Sequence, residues 1–190
     1  MIKQAGYYDI AAGDLLIAPP LAQAGQFNES VILVGLKDEH GTQGWVINRP
    51  TGHRVSEILK DYDIQLSNDP ELYWGGPVSH HTVWLLHSTE WRLPNTRQIN
   101  DHWSVTSNER MFHYLAEGDA PRYFKVVMGY SGWNAGQLEE ELRGEPPRKH
   151  SNSWLVLRNP DSEWISDRDD DELWREAVSL SVQQSVNRLF

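Results

Sequence analysis

Short apolar runs bounded by turn-forming residues constrain the fold of this chain more than any other feature. Continuous apolar runs of roughly four to eight residues, rich in β-branched side chains, predict strands that are buried in a sheet. The runs are Val31–Leu36, Gly44–Ile47, Val83–His87, Tyr123–Met128 and Ser153–Leu157, with a shorter fragment at Leu72–Trp74. The sequence therefore predicts a sheet that is assembled from many short strands.

Helical periodicity occupies the segments between these runs. The predicted helices are Val55–Lys60, one with Met111, Phe112 and Leu115 on a single face, one with Leu138 and Leu142 four residues apart, and a last one that follows Asp169–Asp171 and carries Leu173, Ala177 and Leu180 along one side. Strands and helices do not alternate in a regular βαβ rhythm. The pattern therefore predicts a mixed α+β fold, and the length predicts one compact domain over residues 1–190.

Local signals predict further details of the secondary structure. Thr106 and Glu109 have the spacing of a capping box, which starts the second helix just after Thr106. The segment Gly129–Trp133 is predicted to be a turn that leads into the third helix, with Asn134 as its cap. A loop is predicted from Gly144 to Asn152, because this stretch holds two prolines and no periodicity.

Charge and composition exclude several classes of protein. The formal net charge is −10 and the 17 basic residues are scattered, so nucleic acid is an unfavourable partner for this chain. Cysteine is absent, which excludes disulfides and thiolate metal sites. No metal or cofactor is predicted, because the sequence has no zinc, calcium or P-loop motif. The adjacent pair His80 and His81 would point to opposite faces of a strand and would not share a metal.

No targeting or membrane-spanning segment is predicted. The best early apolar run, Leu15–Ala22, is interrupted by Pro19 and Pro20. It is also far shorter than the roughly 20 residues that a membrane helix needs. A reducing, cytoplasmic location is expected, with no contact with a membrane.

Four ordered stretches carry a resemblance to a known family. They are Gly13–Leu21 with Phe27 and Ser30-Val31 after it, Gly44–Pro50, Gly75–Val78 followed by Leu86-His87, and Gly129–Trp133 continuing through Gln137 to Leu142. In this order and at these intervals they resemble the pattern of the YqgE/AlgH family. The chain differs from that pattern at Trp45 and Pro19, and the Pro-rich stretch Glu145–Ser151 resembles an insertion.

The resemblance implies a fold but no particular chemistry. It implies a compact α+β domain with a barrel-like sheet flanked by helices, a bacterial origin and a cytoplasmic location. Some members of the family are labelled transcriptional regulators, which by itself does not establish contact with DNA.

Several residues in these stretches are candidates for a ligand site. Asn48 and Arg49 end a strand, where the planar guanidinium can hold a carboxylate or phosphate. The favoured alternative is that Asn48 caps a turn and Arg49 pairs with a local acid. Gly75 and Gly76 can bring backbone amides close to a ligand, or can serve a tight turn. His87 ends an apolar strand, where a histidine is more often structural than catalytic.

The stretch from Gly132 to Glu141 offers a second group of candidates. Gly132 and Trp133 precede a helix whose free amides would favour an anion, while Gln137 and Glu141 lie four apart on one helical face. The alternative is that this segment only closes the core. A serine nucleophile at Ser131 is disfavoured, since the G-x-S-x-G motif lacks its last glycine.

Three functions remain open at this point. The first is a non-enzymatic binding or regulatory protein that acts through a protein partner or through a small anionic ligand near Arg49, Gly76, His87 and Gln137. The second is an enzyme of unspecified class, with His87 as general base beside Glu141 and with Arg49 stabilising an anion. The third is a transcriptional regulator that contacts DNA, which the acidic charge disfavours.

Overall fold

A computed structural model describes residues 10–20, 25–143 and 154–187 of the chain. Within these residues the strands are β1 (Leu15–Ile17), β2 (Val31–Asp38), β3 (Gly41–Val46), β4 (Pro50–Arg54), β5 (Glu71–Trp74), β6 (Val78–Ser88), β7 (Arg97–Gln98), β8 (Trp103–Thr106), β9 (Phe124–Asn134) and β10 (Leu155–Leu157). The helices are α1 (Val55–Ile58), α2 (Met111–Ala116), α3 (Gln137–Arg143), α4 (Ser162–Ser166) and α5 (Asp170–Asn187), with a 3₁₀ turn at Gly25–Phe27.

The strands form one curled sheet in the order β10-β1-β2-β3-β9-β6-β8-β7. All neighbours along this path are antiparallel, and β5 adds a parallel pairing to β9 and an antiparallel pairing to β4. The sheet is a half-barrel with helices packed against it. The predicted α+β fold with a barrel-like sheet is therefore confirmed.

Strand β9 is the centre of this sheet. Its first half lies between β6 and β5, and its second half pairs with β3. Gly129 has φ +75, a left-handed conformation that glycine adopts readily, and this allows the strand to bend without ending. The predicted turn at Gly129–Trp133 is therefore wrong, because Ser131 to Asn134 continue in the ladder with β3.

Among the residues that the structure describes, the core consists of three apolar clusters that the helices close. The largest lies between the sheet and α5, where Leu173 and Ala177 pack against the strands. A second cluster joins α1 and α2 to the sheet, and a third is closed by α3 through Leu138 and Leu142. The apolar faces predicted for these helices are the faces that the structure buries.

Long-range pairing overrides the capping box predicted at Thr106. Thr106 ends β8, where it faces Leu85 of β6, so it is not available to start a helix. Helix α2 begins four residues later with Arg110 as its N-cap residue, and Asn108 accepts the Arg110 amide at 3.0 Å. The predicted capping box is therefore wrong, and the helix starts about one turn later than it predicts.

A bulge in β6 changes the geometry of the histidine pair. Val78 and Val83 face Tyr130 and Met128, so β6 carries extra residues between them. Ser79 has φ +48 in this bulge, and the rings of His80 and His81 lie 4.0 Å apart. The expectation that these rings point to opposite faces is wrong, because the segment is not a regular strand.

No helix among the described residues is long and apolar enough to cross a membrane. The predicted loop at Gly144–Asn152, which includes Glu145–Ser151, lies outside the described residues, as does Ser153 at the start of the last predicted strand.

Candidate functional site

Asn48 fastens the end of β3 to the segment before β2. Its Oδ1 accepts the backbone amide of Val31 at 2.7 Å, and its Nδ2 donates to the carbonyl oxygen of Glu29 at 2.8 Å. Both halves of the side-chain amide are therefore used within the protein. Asn48 thus links segments that lie 17 and 19 residues apart and does not cap a turn of its own.

Arg49 extends the same connection. Its guanidinium donates to the carbonyl oxygens of Gln26 and, at 2.8 Å, of Asn28. The guanidinium carbon also lies 5.0 Å from the ring centre of Trp74, which is cation–π geometry. The planar fork thus faces backbone carbonyls, and Arg49 holds the 3₁₀ turn against β5.

Gly75 and Gly76 permit a close crossing of two backbones. The Gly75 amide donates to Met128 at 2.8 Å, and its carbonyl accepts from Val46 at 2.9 Å. Gly76 has φ +149, and a Cβ atom there would overlap the backbone of Tyr130. The Gly75 amide is therefore used within the fold and does not remain for a ligand. Ser131 is also buried in this crossing.

A buried carboxylate organises the segment after β9. Glu141 is 7% exposed, and its carboxylate accepts the indole N–H groups of Trp133 and Trp154 at 3.0 and 3.1 Å. Gln137 donates to the other carboxylate oxygen at 3.0 Å, and its own oxygen accepts the Asn134 amide at 3.1 Å. This network fixes the start of α3 against the sheet.

An aromatic cluster connects this carboxylate with Arg49. The ring centre of Phe27 lies 5.8 Å from that of Trp74 and 5.9 Å from that of Trp154. The ring centres of Trp154 and Trp133 are 6.5 Å apart in an edge-on arrangement. The motifs at Asn48-Arg49, Gly75-Gly76 and Gly132–Glu141 therefore adjoin one continuous cluster. Gly132 itself is exposed on β9, beside the ring of Tyr130. Phe27, Trp74 and Trp154 were not predicted as members of a site.

His87 lies apart from this cluster and is fully buried. Its Nδ1 is 2.9 Å from the carbonyl oxygen of Ser88, which makes Nδ1–H the donor, and its ring stands edge-on to Trp91 at 5.1 Å. Burial lowers the pKa of His87, because the charged imidazolium would lose its hydration. A neutral, buried ring that packs against an aromatic side chain is typical of a structural histidine.

The register of β9 separates His87 from Glu141. His87 faces Phe124 at one end of β9, and Glu141 is bonded to Trp133 near the other end. Nine residues of extended strand span roughly 30 Å. The structure therefore does not bring His87, Arg49 and Glu141 together as one catalytic group.

Two concavities formed by described residues lie elsewhere on the molecule. A cleft of about 490 Å³ opens between α1, α2 and β6. Its apolar lining is Ile58, Leu59, Tyr62, Ile64, Val83, Met111, Phe112 and Met128, and its polar lining is His81, Thr82, Ser107, Glu109 and His113. Helical periodicity predicted Met111 and Phe112 as core residues, and no local signal marks them as the wall of a cleft.

A smaller, polar pocket of about 250 Å³ lies at the start of α5. Lys125 enters it from β9 and pairs with Asp170 at 3.0 Å, above the ring of Tyr73 at 4.1 Å. Burial lowers the pKa of Lys125, and the neighbouring Asp170 carboxylate opposes that shift. Burial also raises the pKa of Tyr73, as does Asp170, which accepts its hydroxyl at 3.2 Å. A lysine within an apolar run was the sequence signal that could have indicated this site.

No metal centre is evident in the part of the chain that the structure describes. Within residues 10–20, 25–143 and 154–187, no three histidine or carboxylate side chains are placed to share an ion.

Comparison with known proteins identifies the family. The profile of the AlgH-like family matches residues 15–184. The chain belongs to the AlgH-like family. A UPF0301 protein from Shewanella denitrificans is 36% identical over 170 residues, covering 87% of this chain and 88% of that protein. A second one, from Photobacterium profundum, is 34% identical over 86% of this chain and 88% of its own length.

Solved structures agree with the fold of this AlgH-like chain. The solution structure of the AlgH protein from Pseudomonas aeruginosa is similar with a TM-score of 0.72 at 26% identity, covering 96% of this chain and 92% of that one. A crystal structure of a protein from Corynebacterium diphtheriae has a TM-score of 0.65 at 19% identity over 91% of this chain and 92% of its own, which shows likeness of fold alone. The motifs predicted from the resemblance therefore lie in a shared architecture.

Proposed function

We propose that this AlgH-like chain is a non-enzymatic binding protein that acts through a protein partner. The cleft between α1, α2 and β6 is the observation that carries the proposal. Its volume of about 490 Å³ lies within the range of sites that accept a bulky side chain or a small ligand. Its walls are largely aliphatic and aromatic, which is the lining that buries an apolar anchor.

The rim of the cleft indicates the charge of the partner. Glu109 lines the cleft, and Asp61 and Asp63 flank Tyr62, which is 60% exposed. These three acids outnumber the two exposed bases beside the lining residues, Lys60 and Arg110. The whole chain carries a formal charge of −10. Opposite charge at the rim favours encounter and orientation, so the expected partner is a basic segment that presents an apolar side chain.

The other functions have less support. A small anionic ligand at Arg49 would have to displace the carbonyl oxygens that already occupy the guanidinium. An enzyme that uses His87 with Glu141 would need a contact that β9 does not provide. A DNA-binding regulator would have to overcome the acidic charge. The location that we propose for the binding protein is the cytoplasm, as the family resemblance implies.

Binding of a designed peptide tests the proposal. The probe is a fluorescein-labelled amphipathic peptide of alternating leucine-rich and lysine-rich turns, titrated with the full chain in low salt and followed by anisotropy. We expect saturable binding that Glu109→Lys weakens about tenfold, because a charge reversal at the rim changes attraction to repulsion. Tyr62→Ala should also weaken binding, because the wall loses an aromatic face.

Matched controls separate this site from general electrostatic attraction. Glu140→Lys reverses an equally exposed acid on α3, and binding of the peptide should be unchanged. An analogue with glutamate in place of lysine should not bind. Equal losses in Glu109→Lys and Glu140→Lys, or tight binding of the acidic analogue, would refute the assignment of the cleft.

A further inference from the structure

The polar pocket at the start of α5 surrounds an amine with unusual neighbours. The side chain of Lys125 is 10% exposed, so most of its stem is buried while the amine still borders the pocket. Asp170 on α5 supplies the facing carboxylate, and the ring of Tyr73 on β5 lies under the ammonium. This pocket and the cleft share no lining residue.

The remaining polar groups of the pocket also come from β5, from α4 and from the link to α5. Glu71 and Asp169 add two carboxylates, and Arg168 adds a guanidinium that is paired with Glu176. The hydroxyl oxygen of Ser166 is buried and has no hydrogen-bond partner among the described residues. The pocket thus holds one acid more than it holds bases.

We propose that Lys125 is a reactive lysine whose ε-amine condenses with a small, neutral aldehyde that enters this pocket. A lysine whose ammonium has lost most of its hydration is a better nucleophile at neutral pH than an exposed lysine. The burial of the Lys125 side chain supplies this condition, while the Tyr73 ring and the Asp170 carboxylate hold the amine in place. Asp170, at 3.0 Å, is the group that can accept and return the proton.

The steps balance without any further reagent. Asp170 takes a proton from the Lys125 ammonium, and the freed lone pair attacks the carbonyl carbon while the carbonyl π pair moves to oxygen. A proton passes from nitrogen to that oxygen, giving a neutral carbinolamine. Asp170 then returns its proton to the hydroxyl, which leaves as water as the C=N bond forms. An ammonium and an aldehyde have become a protonated imine and water.

The product suits the pocket as well as the reactant does. The protonated imine keeps the positive charge of Lys125, so the ion pair with Asp170 and the contact with the Tyr73 ring are preserved. The excess of carboxylates disfavours an oxo acid, since its own carboxylate would be repelled. A neutral aldehyde of a few carbon atoms carries no such penalty.

Reductive trapping tests this proposal. The full chain is treated with propanal and sodium cyanoborohydride at pH 7, and peptide mapping by mass spectrometry gives the initial labelling rate of each lysine. We expect Lys125 to be labelled at least roughly threefold faster than exposed Lys60, although exposure alone predicts the reverse. A rate at Lys125 equal to or below that at Lys60 overturns the proposal.

Variants and a second probe sharpen the result. Lys125→Arg should abolish this label and leave the label at Lys60 unchanged. Asp170→Asn keeps a hydrogen-bond acceptor but not a base, and should slow labelling at Lys125 about tenfold while circular dichroism shows an intact fold. Unchanged labelling in Asp170→Asn refutes the role of Asp170. Glyoxylate, an aldehyde that carries a carboxylate, should label Lys125 more slowly relative to Lys60 than propanal does. A Lys125-to-Lys60 ratio with glyoxylate equal to or above the ratio with propanal overturns the choice of a neutral substrate.

Discussion

Replacing Gly129 with alanine should break the crossing on which β9 depends. Gly129 has φ +75, and a Cβ atom there would overlap the carbonyl group of Gly76. Gly52 on β4 has nearly the same φ, +77, but apart from its chain neighbours no atom of the described residues lies within 4 Å of the corresponding Cβ position. The two positions therefore share the conformational cost of a left-handed alanine and differ in the steric cost.

The two costs can be separated by subtraction. A non-glycine residue in the left-handed region costs about 1–2 kcal/mol, and alanine also reduces the entropy of the unfolded chain by an amount common to both variants. Overlap with the Gly76 backbone should add about 1–3 kcal/mol at Gly129, as overpacking does elsewhere. We expect Gly52→Ala to lose about 1 kcal/mol of unfolding free energy and Gly129→Ala about 3 kcal/mol.

Urea unfolding followed by far-ultraviolet circular dichroism measures both values. The slope with denaturant should be the same in both variants, so that the shift in midpoint reports stability alone. A difference between Gly129→Ala and Gly52→Ala below about 0.5 kcal/mol, which is the scatter between independent surface substitutions, would refute the reasoning. In that case the glycines of this motif would need an explanation other than the packing of backbones.

Two other variants test the buried polar groups. Glu141→Gln should lower the unfolding free energy by about 1.5–3 kcal/mol, because the new amide nitrogen would replace either the oxygen that accepts both indole N–H groups or the oxygen that accepts from Gln137, whereas Glu140→Gln on the exposed face should change it by less than about 0.5 kcal/mol in the same urea assay. Burial lowers the pKa of His87, so the unfolded chain binds its proton first and stability should decrease as the pH falls below about 6.5. His87→Gln should remove up to about 1.4 kcal/mol per pH unit from that slope, measured by urea midpoints between pH 7 and 5; a slope equal to that of the unsubstituted protein would contradict the buried assignment.

The strands could be predicted from the sequence because their signal is local. Val31–Leu36 and Val83–His87 are apolar along consecutive residues, and both lie within strands of the structure. The predictions were wrong at positions whose conformation depends on a residue that is distant in the sequence. Thr106 reads locally as a helix cap, but Leu85 holds it in the sheet. From its neighbours in the sequence, Gly129 is predicted to end a strand. The close approach to Gly76 and the pairing with β3 instead let β9 continue beyond it.

The site residues show the same limit at the level of side chains. The order of the motifs predicted one cluster of Arg49, Gly76, His87 and Gln137. In the structure an aromatic cluster links Arg49 with the segment from Gln137 to Glu141, and His87 lies at the other end of β9. Their roles could not be predicted, because the partners of Arg49 are backbone carbonyls that carry no sequence signature. The site at Lys125 could not be predicted for a related reason, since its partner Asp170 follows 45 residues later in another element.

The residues that identify the family and the residues that are free to act on a ligand are therefore largely different. Asn48, Arg49 and Gly76 hold strand connections, and each uses its polar or conformational capacity within the fold. A position of the fold that requires a particular side-chain amide, a guanidinium or a glycine tolerates few other residues. Such residues therefore form a recognisable sequence motif even where they bind no ligand. The cleft beside Tyr62 and the pocket at Lys125 impose weaker local demands on sequence, because their walls are ordinary strand and helix faces. Binding chemistry in this protein is consequently expected at those two concavities, and the motifs serve to hold the sheet that shapes them.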